Sequence, residues 1–473
     1  MEKYYSTLPR VGAKLDLAEH KGDFSTFRHS IGHGGINKYP LPPAVVQGLK
    51  RLKPRLIRTF IQEYFNIYPA HGTYDWTALD PYMDSLAATG AQVVAAITIK
   101  PRPLYPAIDQ DIIMPNDVGE WQQLIEALVR RYSIERPIVT HWEIGNEMDI
   151  GEYGGCPYRT GEPEAYNEYY RLTVEAILRA FPAAKVGGPV LAVYDHPLME
   201  GLIKFCAETG VPLDFVSWHG YSDEPKYFTD GVKYAKGLLE KYFPGQKKET
   251  MLTEFSKWFH DARVEDAEAD GLRSATVAAT LLDMAEAGLD YSFYYHVWDQ
   301  FLAAEQFAPF FSDKGLDNML TYWCKTPCNF GLYDVCGQPR LIYHLYALLA
   351  KMGGTACVAT STATDIRITG AVDDDGTVRA MLVNYDPYNS RDVLAEIDFG
   401  GVDDGFKLLT IWRIDGKSRV ENGALVPVER RFTQVAVAYS DRPFYCQVYL
   451  PADAVAFVEL APVSESEMLR SYG

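Results

Sequence analysis

Between residues 27 and 353, short unbroken apolar runs alternate with stretches whose apolar residues recur every three or four positions. The runs are FRHSIGHGG (27–35), LIRTF (56–60), QVVAAIT (92–98), IVTHWEIGNE (138–147), AKVGGPV (184–190), DFVSWHGY (214–221), TMLTEF (250–255) and YSFYYHVW (291–298). They are rich in Val, Ile, Thr and aromatic residues and are bounded by turn residues, which predicts parallel strands buried on both faces. The stretches between them, among them PPAVVQGLKRLKP, VGEWQQLIEALVRRYSIE and EADGLRSATVAATLLDMAEAG, have helical spacing. The first opens on prolines, which suit an initial helical turn. Eight strand–helix units in order predict a (β/α)8 barrel. An open doubly wound sheet is the alternative, but GHGGIN and VGGPVL lack its spaced glycine fingerprint.

After Gly354 the pattern changes. DIRITGAVDDDGTVRAMLVNYD alternates around an Asp-Asp-Gly turn, a hairpin signal, and FKLLTIWRIDGKSRV, FTQVAVAYS, FYCQVYL and AVAFVELAPV continue as short strands. The expected fold class is α/β: a (β/α)8 TIM barrel over 27–353 with an accessory antiparallel β-sandwich over 354–473. VGAKLDLAEH, within residues 1–26, is a candidate extra strand for that sandwich.

The chain has 473 residues, 47% of them hydrophobic, enough for a large core. Its net charge of -18 argues against a nucleic acid or an anionic membrane as partner, since both require basic patches. No apolar run of membrane-spanning length occurs, and the N-terminus lacks a signal-peptide pattern. Seven Cys, an odd count, suit free thiols in a reducing compartment, so a cytoplasmic protein is expected. Cys324, Cys328 and Cys336 lie close in sequence, but no fourth ligand falls at zinc-like spacing.

In such a barrel the chemistry sits at the C-terminal strand ends. Those ends present His33, Arg58 with Glu63 beyond it, Lys100, the pair Asn146 and Glu147, His219 with Tyr221, Glu254, and Trp298 with Asp299. Glu147 on the fourth barrel strand and Glu254 on the seventh face each other across the mouth. Cleavage of a glycosidic bond needs such a pair: one carboxylic acid protonates the leaving oxygen while the other attacks, or activates water at, the anomeric carbon.

WEIGNE ending strand 4 and LTEF ending strand 7 resemble the two signatures of clan A retaining glycoside hydrolases. IRTF, WHGY, GLYDVCGQPRLIYHLYALL and the trailing sandwich make glycoside hydrolase family 39, with its β-xylosidases, the most similar family. The resemblance implies Glu147 as acid/base and Glu254 as nucleophile. It further implies Asn146 on the sugar 2-hydroxyl, Arg58 holding the nucleophile ionised, His219 and Tyr221 around nucleophile and sugar, and Trp298 as an aromatic platform. Electrostatics points the same way, because Arg58 would stabilise the charge on Glu254 while Glu147, near another carboxylate, would be pushed towards its neutral form.

Other residues have plainer readings. Glu143 fits a buried structural pair, Glu63 a loop role, Trp142 and Trp218 the core, and His29 and His141 structural positions. His33 and Lys100 are candidate substrate contacts. His33, His219, His296 and Asp299 would serve a metal-dependent hydrolase, but HSIGH has the wrong spacing for two ligands at one strand tip. A catalytically silent carbohydrate-binding protein is a further alternative, opposed by the joint presence of both Glu, Asn146 and Arg58. The expected function is a retaining exo-glycosidase on short oligosaccharides or glycosides, β-xylosidase first, with α-L-arabinofuranosidase, β-glucosidase or uronidase as alternatives. No metal or cofactor is implied, and the sandwich is a candidate surface for homo-oligomer formation. The glycines of IGEYGG after Glu147 would turn the loop away and leave the acid open to a sugar.

Overall fold

A computed structural model describes residues 7–24, 29–258, 267–322, 329–435 and 444–470. The chain begins with β1 (Arg10–Asp23) and then enters a closed parallel barrel. Its strands are β2 (His29–Gly32), β3 (Leu56–Gln62), β4 (Gln92–Thr98), β5 (Val139–Ile144), β6 (Lys185–Leu191), β7 (Phe215–Tyr221), β8 (Glu249–Ser256) and β9 (Tyr291–Tyr295). β2 pairs in parallel with β9 and closes the ring. The expected eight strands are present; β2, β5 and β9 are shorter than their runs, which continue into loops that carry polar residues, whereas β3 and β8 extend beyond theirs.

Alternation along each strand sorts side chains between two environments. On β3, Ile57 and Ile61 join the layer between strands and helices, whereas Leu56 and Phe60 face the axis. Leu56, Val94, Phe215, Met251 and Phe293 plug the lower barrel. Phe60, Ala96, Tyr295 and Phe330 form an upper apolar cluster, against which Tyr221 packs. Arg58 has the same parity as Leu56 and Phe60, and so lies between the two layers.

Beyond helix Leu341–Leu349 come β10 (Thr355–Ser361), β11 (Ile366–Val372), β12 (Val378–Asn384), β13 (Val393–Gly400) and β14 (Gly405–Ile414). They are followed by the two-residue β15 (Val420–Glu421) and β16 (Ala424–Leu425), then β17 (Glu429–Val435), β18 (Phe444–Leu450) and β19 (Ala454–Pro462). Nine strands form one sheet in the order β17-β14-β19-β12-β11-β10-β1-β13-β18. The sheet folds over on itself: Ile397 and Val448 near one end share a core with Leu409 and Val458 near the other. The N-terminal strand does join, between β10 and β13, but its pairing with β13 is parallel, so the sheet is not antiparallel throughout.

Helix Ala267–Glu286 packs the barrel on this sheet, where Arg367 grips both oxygens of Asp283. A Cβ on Gly271 would lie 2.6 Å from the backbone of Asp415, so the helix can approach the sheet only through glycine. Among the described residues, no helix is long and apolar enough to cross a membrane. Cys336 is exposed and free, while Cys324 and Cys328 lie outside the described residues.

Candidate active site

The site is built around one guanidinium. Arg58, fully buried, donates from Nε to Glu143 Oε2 (2.6 Å), from Nη1 to Glu254 Oε1 (2.6 Å) and from Nη2 to Asn146 Oδ1 (2.8 Å). A buried planar cation with several fixed donors can hold three acceptors in one geometry, which a lysine could not. Glu143 is therefore a buried structural partner, as its place inside a strand suggested, and it also adds a second carboxylate to balance Arg58.

Glu147 lies just beyond β5, on a turn that two unusual backbone conformations make possible. Gly145 has φ 93° and Glu147 itself φ 42°. A non-glycine residue there costs about 1–3 kcal/mol and persists where its surroundings fix it. Here the Glu147 N–H donates to Val190 O (2.6 Å), and its carbonyl accepts from the N–H groups of Ile150 and Gly151. The chain then curls back. Asn146 Nδ2 donates to Gly154 O (3.1 Å) and Gln62 Nε2 to Gly155 O (2.7 Å). The glycines thus do the opposite of what the sequence suggested: Gly154 closes onto the Glu147 carboxyl, and Glu147 is only 7% exposed.

Glu254 ends up between cation and hydroxyl, with Oε1 accepting from Arg58 and Oε2 from Tyr221 Oη (2.6 Å). His219 Nδ1 stands 2.7 Å from Glu147 Oε1 and 3.7 Å from Glu254 Oε2. One oxygen of each carboxylate and a ring nitrogen of His219 all lie within 4.8 Å of one another.

Burial pushes the Glu147 carboxyl far above the usual range, and the neighbouring charges of Glu254 and Asp149 push it further, against Arg58. Burial also raises Glu254, but there the charge of Arg58 and the hydrogen bond from Tyr221 pull back. The proton shared by the pair therefore rests on Glu147. Burial, with Arg58 nearby, drives His219 well down, so its imidazole is neutral. The three groups have the spacing of a cation site, yet the donor set does not fit one: both Glu254 oxygens are taken by donors, and the Arg58 guanidinium already supplies the positive charge.

Three further candidate contacts, His33, Lys100 and Trp298, do not join the network around Arg58. His33 follows β2 with the parity of Ile31, away from the axis, and stacks near Tyr82. Lys100 gives its ammonium to Asp109 O (2.6 Å) and Pro157 O (2.9 Å), over the Tyr158 ring. Trp298 packs against the main core beside Tyr333. The strand-8 ring in the cluster beside Tyr221, and near Glu254, is Tyr295, whose hydroxyl donates to Gly34 O (2.7 Å). Asp299 is held by Arg340 and His296, and does not join His33 and His219 in a metal set. Glu63 opens a short 3-10 turn, Glu63–Phe65, and accepts the Lys100 N–H (2.8 Å).

Two buried glutamates at the ends of the fourth and seventh barrel strands, one of them held by arginine, are what a glycoside hydrolase requires. The chain belongs to glycosyl hydrolases family 39, whose profile matches residues 55–397. It is 24% identical over 307 residues to a beta-xylosidase of Caldicellulosiruptor saccharolyticus, covering 60% of this chain and 57% of that one. To a beta-xylosidase of Geobacillus stearothermophilus it is 28% identical over 162 residues, 32% of this chain and 31% of the other. The alignments thus span less than two thirds of either relative. In fold it is similar to a monomeric beta-xylosidase of Caulobacter crescentus CB15, with a TM-score of 0.72 at 18% identity over 96% of this chain and 100% of that one.

Proposed function

We propose that this chain is a retaining exo-glycosidase acting on short oligosaccharides or small glycosides, with β-xylosidase activity as the first expectation. The observation that carries it is the close pairing of two unequal carboxylates. Oxygens within 4.8 Å suit direct attack on the anomeric carbon, for which carboxyl groups stand about 5–5.5 Å apart, better than the about 6.5–9.5 Å that leaves room for an inverting water. In the first step Glu254 attacks the anomeric carbon as the C–O bond to the leaving group breaks and Glu147 gives that oxygen its proton. In the second, Glu147, now a carboxylate, takes a proton from water as the water oxygen displaces Glu254 from the sugar.

Two features favour a neutral, compact sugar. Among the described residues, Arg58 is committed to carboxylates, Lys100 to carbonyls and Arg340 to Asp299, so none of these three is free to pair with a uronate. The wall of Phe60, Tyr295 and Phe330 is apolar, which suits a pentose with no hydroxymethyl group. The test is hydrolysis of aryl xyloside, arabinofuranoside, glucoside, galactoside and glucuronide, beside Glu147→Ala and Glu254→Ala. The expected result is xyloside cleavage, with Glu147→Ala rescued by azide and Glu254→Ala inactive. Cleavage of none of them by the native protein would overturn the reading.

A further inference from the structure

The turn that carries Glu147 is tied at its far side to the excursion after the eighth barrel strand by a second buried carboxylate, to which nothing above assigns a part in the chemistry. Glu152 is only 4% exposed, though it lies in a short 3-10 turn, Gly151–Gly154, between glycines. Its Oε1 accepts the Ser312 N–H (2.8 Å) and its Oε2 the Ser312 hydroxyl. Its own N–H donates to Gln110 Oε1 (2.9 Å). Ser312 immediately precedes helix Asp313–Tyr322, and that helix rests on the turn: a Cβ on Gly315 would stand 2.3 Å from Glu152 Oε2, and Met319 lies 3.3 Å from where a Cβ on Gly155 would be.

Two residues further along the same turn, Gly154 packs directly on the Glu147 carboxyl. A shift of the turn at Glu152 is thus passed to the acid through backbone that has no slack. A buried carboxylate without these donors would be costly, so the contact is held firmly.

We infer that Glu152 is a positioning residue that, through the Ser312 clamp, holds the acid turn so that the Glu147 proton is aimed at the leaving oxygen. The inference rests on the glycosidase reading above. If the clamp only stabilised the fold, its loss would slow every substrate alike. If it aims the proton, its loss slows the first step, which kcat/KM reports, only where the leaving group needs protonating. A dinitrophenolate departs unaided, whereas a phenolate of ordinary basicity depends on the acid, whose contribution is about 10²–10⁴-fold.

The experiment compares phenyl and 2,4-dinitrophenyl glycosides of whichever sugar the native protein cleaves, for native, Glu152→Ala, Glu152→Gln and Gly315→Ala proteins, with thermal unfolding of each. Glu152→Ala and Gly315→Ala should lose on the order of 10- to 100-fold in kcat/KM, which reports the first step alone, on the phenyl glycoside, and less than about 3-fold in kcat/KM on the dinitrophenyl glycoside. Glu152→Gln, which still accepts from Ser312, should restore most of the rate. Equal losses of kcat/KM on both substrates, or none, would overturn the inference while leaving the glycosidase reading intact. A native protein that cleaves no glycoside would overturn both.

Discussion

Substituting Gly154 by alanine adds one methyl group at the place where the acid turn meets its own carboxyl. That methyl carbon would lie 1.9 Å from Glu147 Oε2, 2.8 Å from its Cβ and 2.9 Å from its Cδ. Unlike Gly145, Gly151 and Gly155, whose φ angles are 93°, 64° and 72°, Gly154 is not in the left-handed region, so alanine adds no backbone strain there. The whole cost is the collision. Overpacking of this kind costs about 1–3 kcal/mol, well inside the about 5–15 kcal/mol that keeps a domain folded. The variant should therefore fold. It can relieve the clash only by moving the carboxyl away from His219, breaking the 2.7 Å contact, or by lifting the turn. Displacement of about 1 Å at a reacting group costs on the order of 10²-fold in rate. Steady-state kinetics on a glycoside with a poor leaving group should show that loss, and thermal unfolding should show only a modest fall. Gly161→Ala is the control, because a methyl group there meets nothing within 4 Å. Native rates in Gly154→Ala, with unfolding unchanged, would refute the placement of the turn.

Two further outcomes follow from the charges. Arg58→Lys can satisfy Glu254 or Glu143 but not all three partners, and should cost about 3–5 kcal/mol in denaturant unfolding, the price of a broken buried pair. With less pull from the cation, Glu254 would hold a proton to higher pH, so the acid limb of kcat/KM should move upward; an unmoved limb would contradict its role. Burial raises Glu63 from 4.5 to about 8, against the Lys100 N–H and Arg102. The folded state then binds the extra proton, so this contribution to stability is complete below the unfolded value and is lost as pH rises through 4.5 to about 8, by about 1.4 kcal/mol per unit. Glu63→Gln should gain on the native protein in unfolding midpoint between pH 5 and pH 8; a constant difference would exclude the effect.

What could be read from the sequence was what repeats or alternates locally. Eight apolar runs separated by helical spacing gave the barrel, and Glu147 and Glu254 stood out because each ends such a run. What could not be read depended on register. β2 is only four residues long, so nothing in its composition says that His33 follows Ile31 towards the helices rather than facing the axis. Along YSFYYHVW, Tyr295 and Trp298 are equally plausible platforms until β9 is known to end at Tyr295. Lys100 looked available because its carbonyl partners, Asp109 and Pro157, sit in irregular loops. The clamp between Glu152 and Ser312 joins positions 160 apart and leaves no periodic trace.

The place of β1 in the second sheet has a consequence for how the molecule is made. Gly12 donates its N–H to Thr362 Oγ1, 350 positions later, and Val11, Ala13 and Leu15 are buried in a core assembled from the last third of the chain. At about 5–20 residues per second of synthesis, that apolar strand waits on the order of tens of seconds for its neighbours. The barrel can close meanwhile, but the second sheet has to be completed by the oldest part of the polypeptide, across a gap between β10 and β13 that no later strand fills. A barrel cut out at its own borders would strand one partner on each fragment, so the two halves of this enzyme mature together.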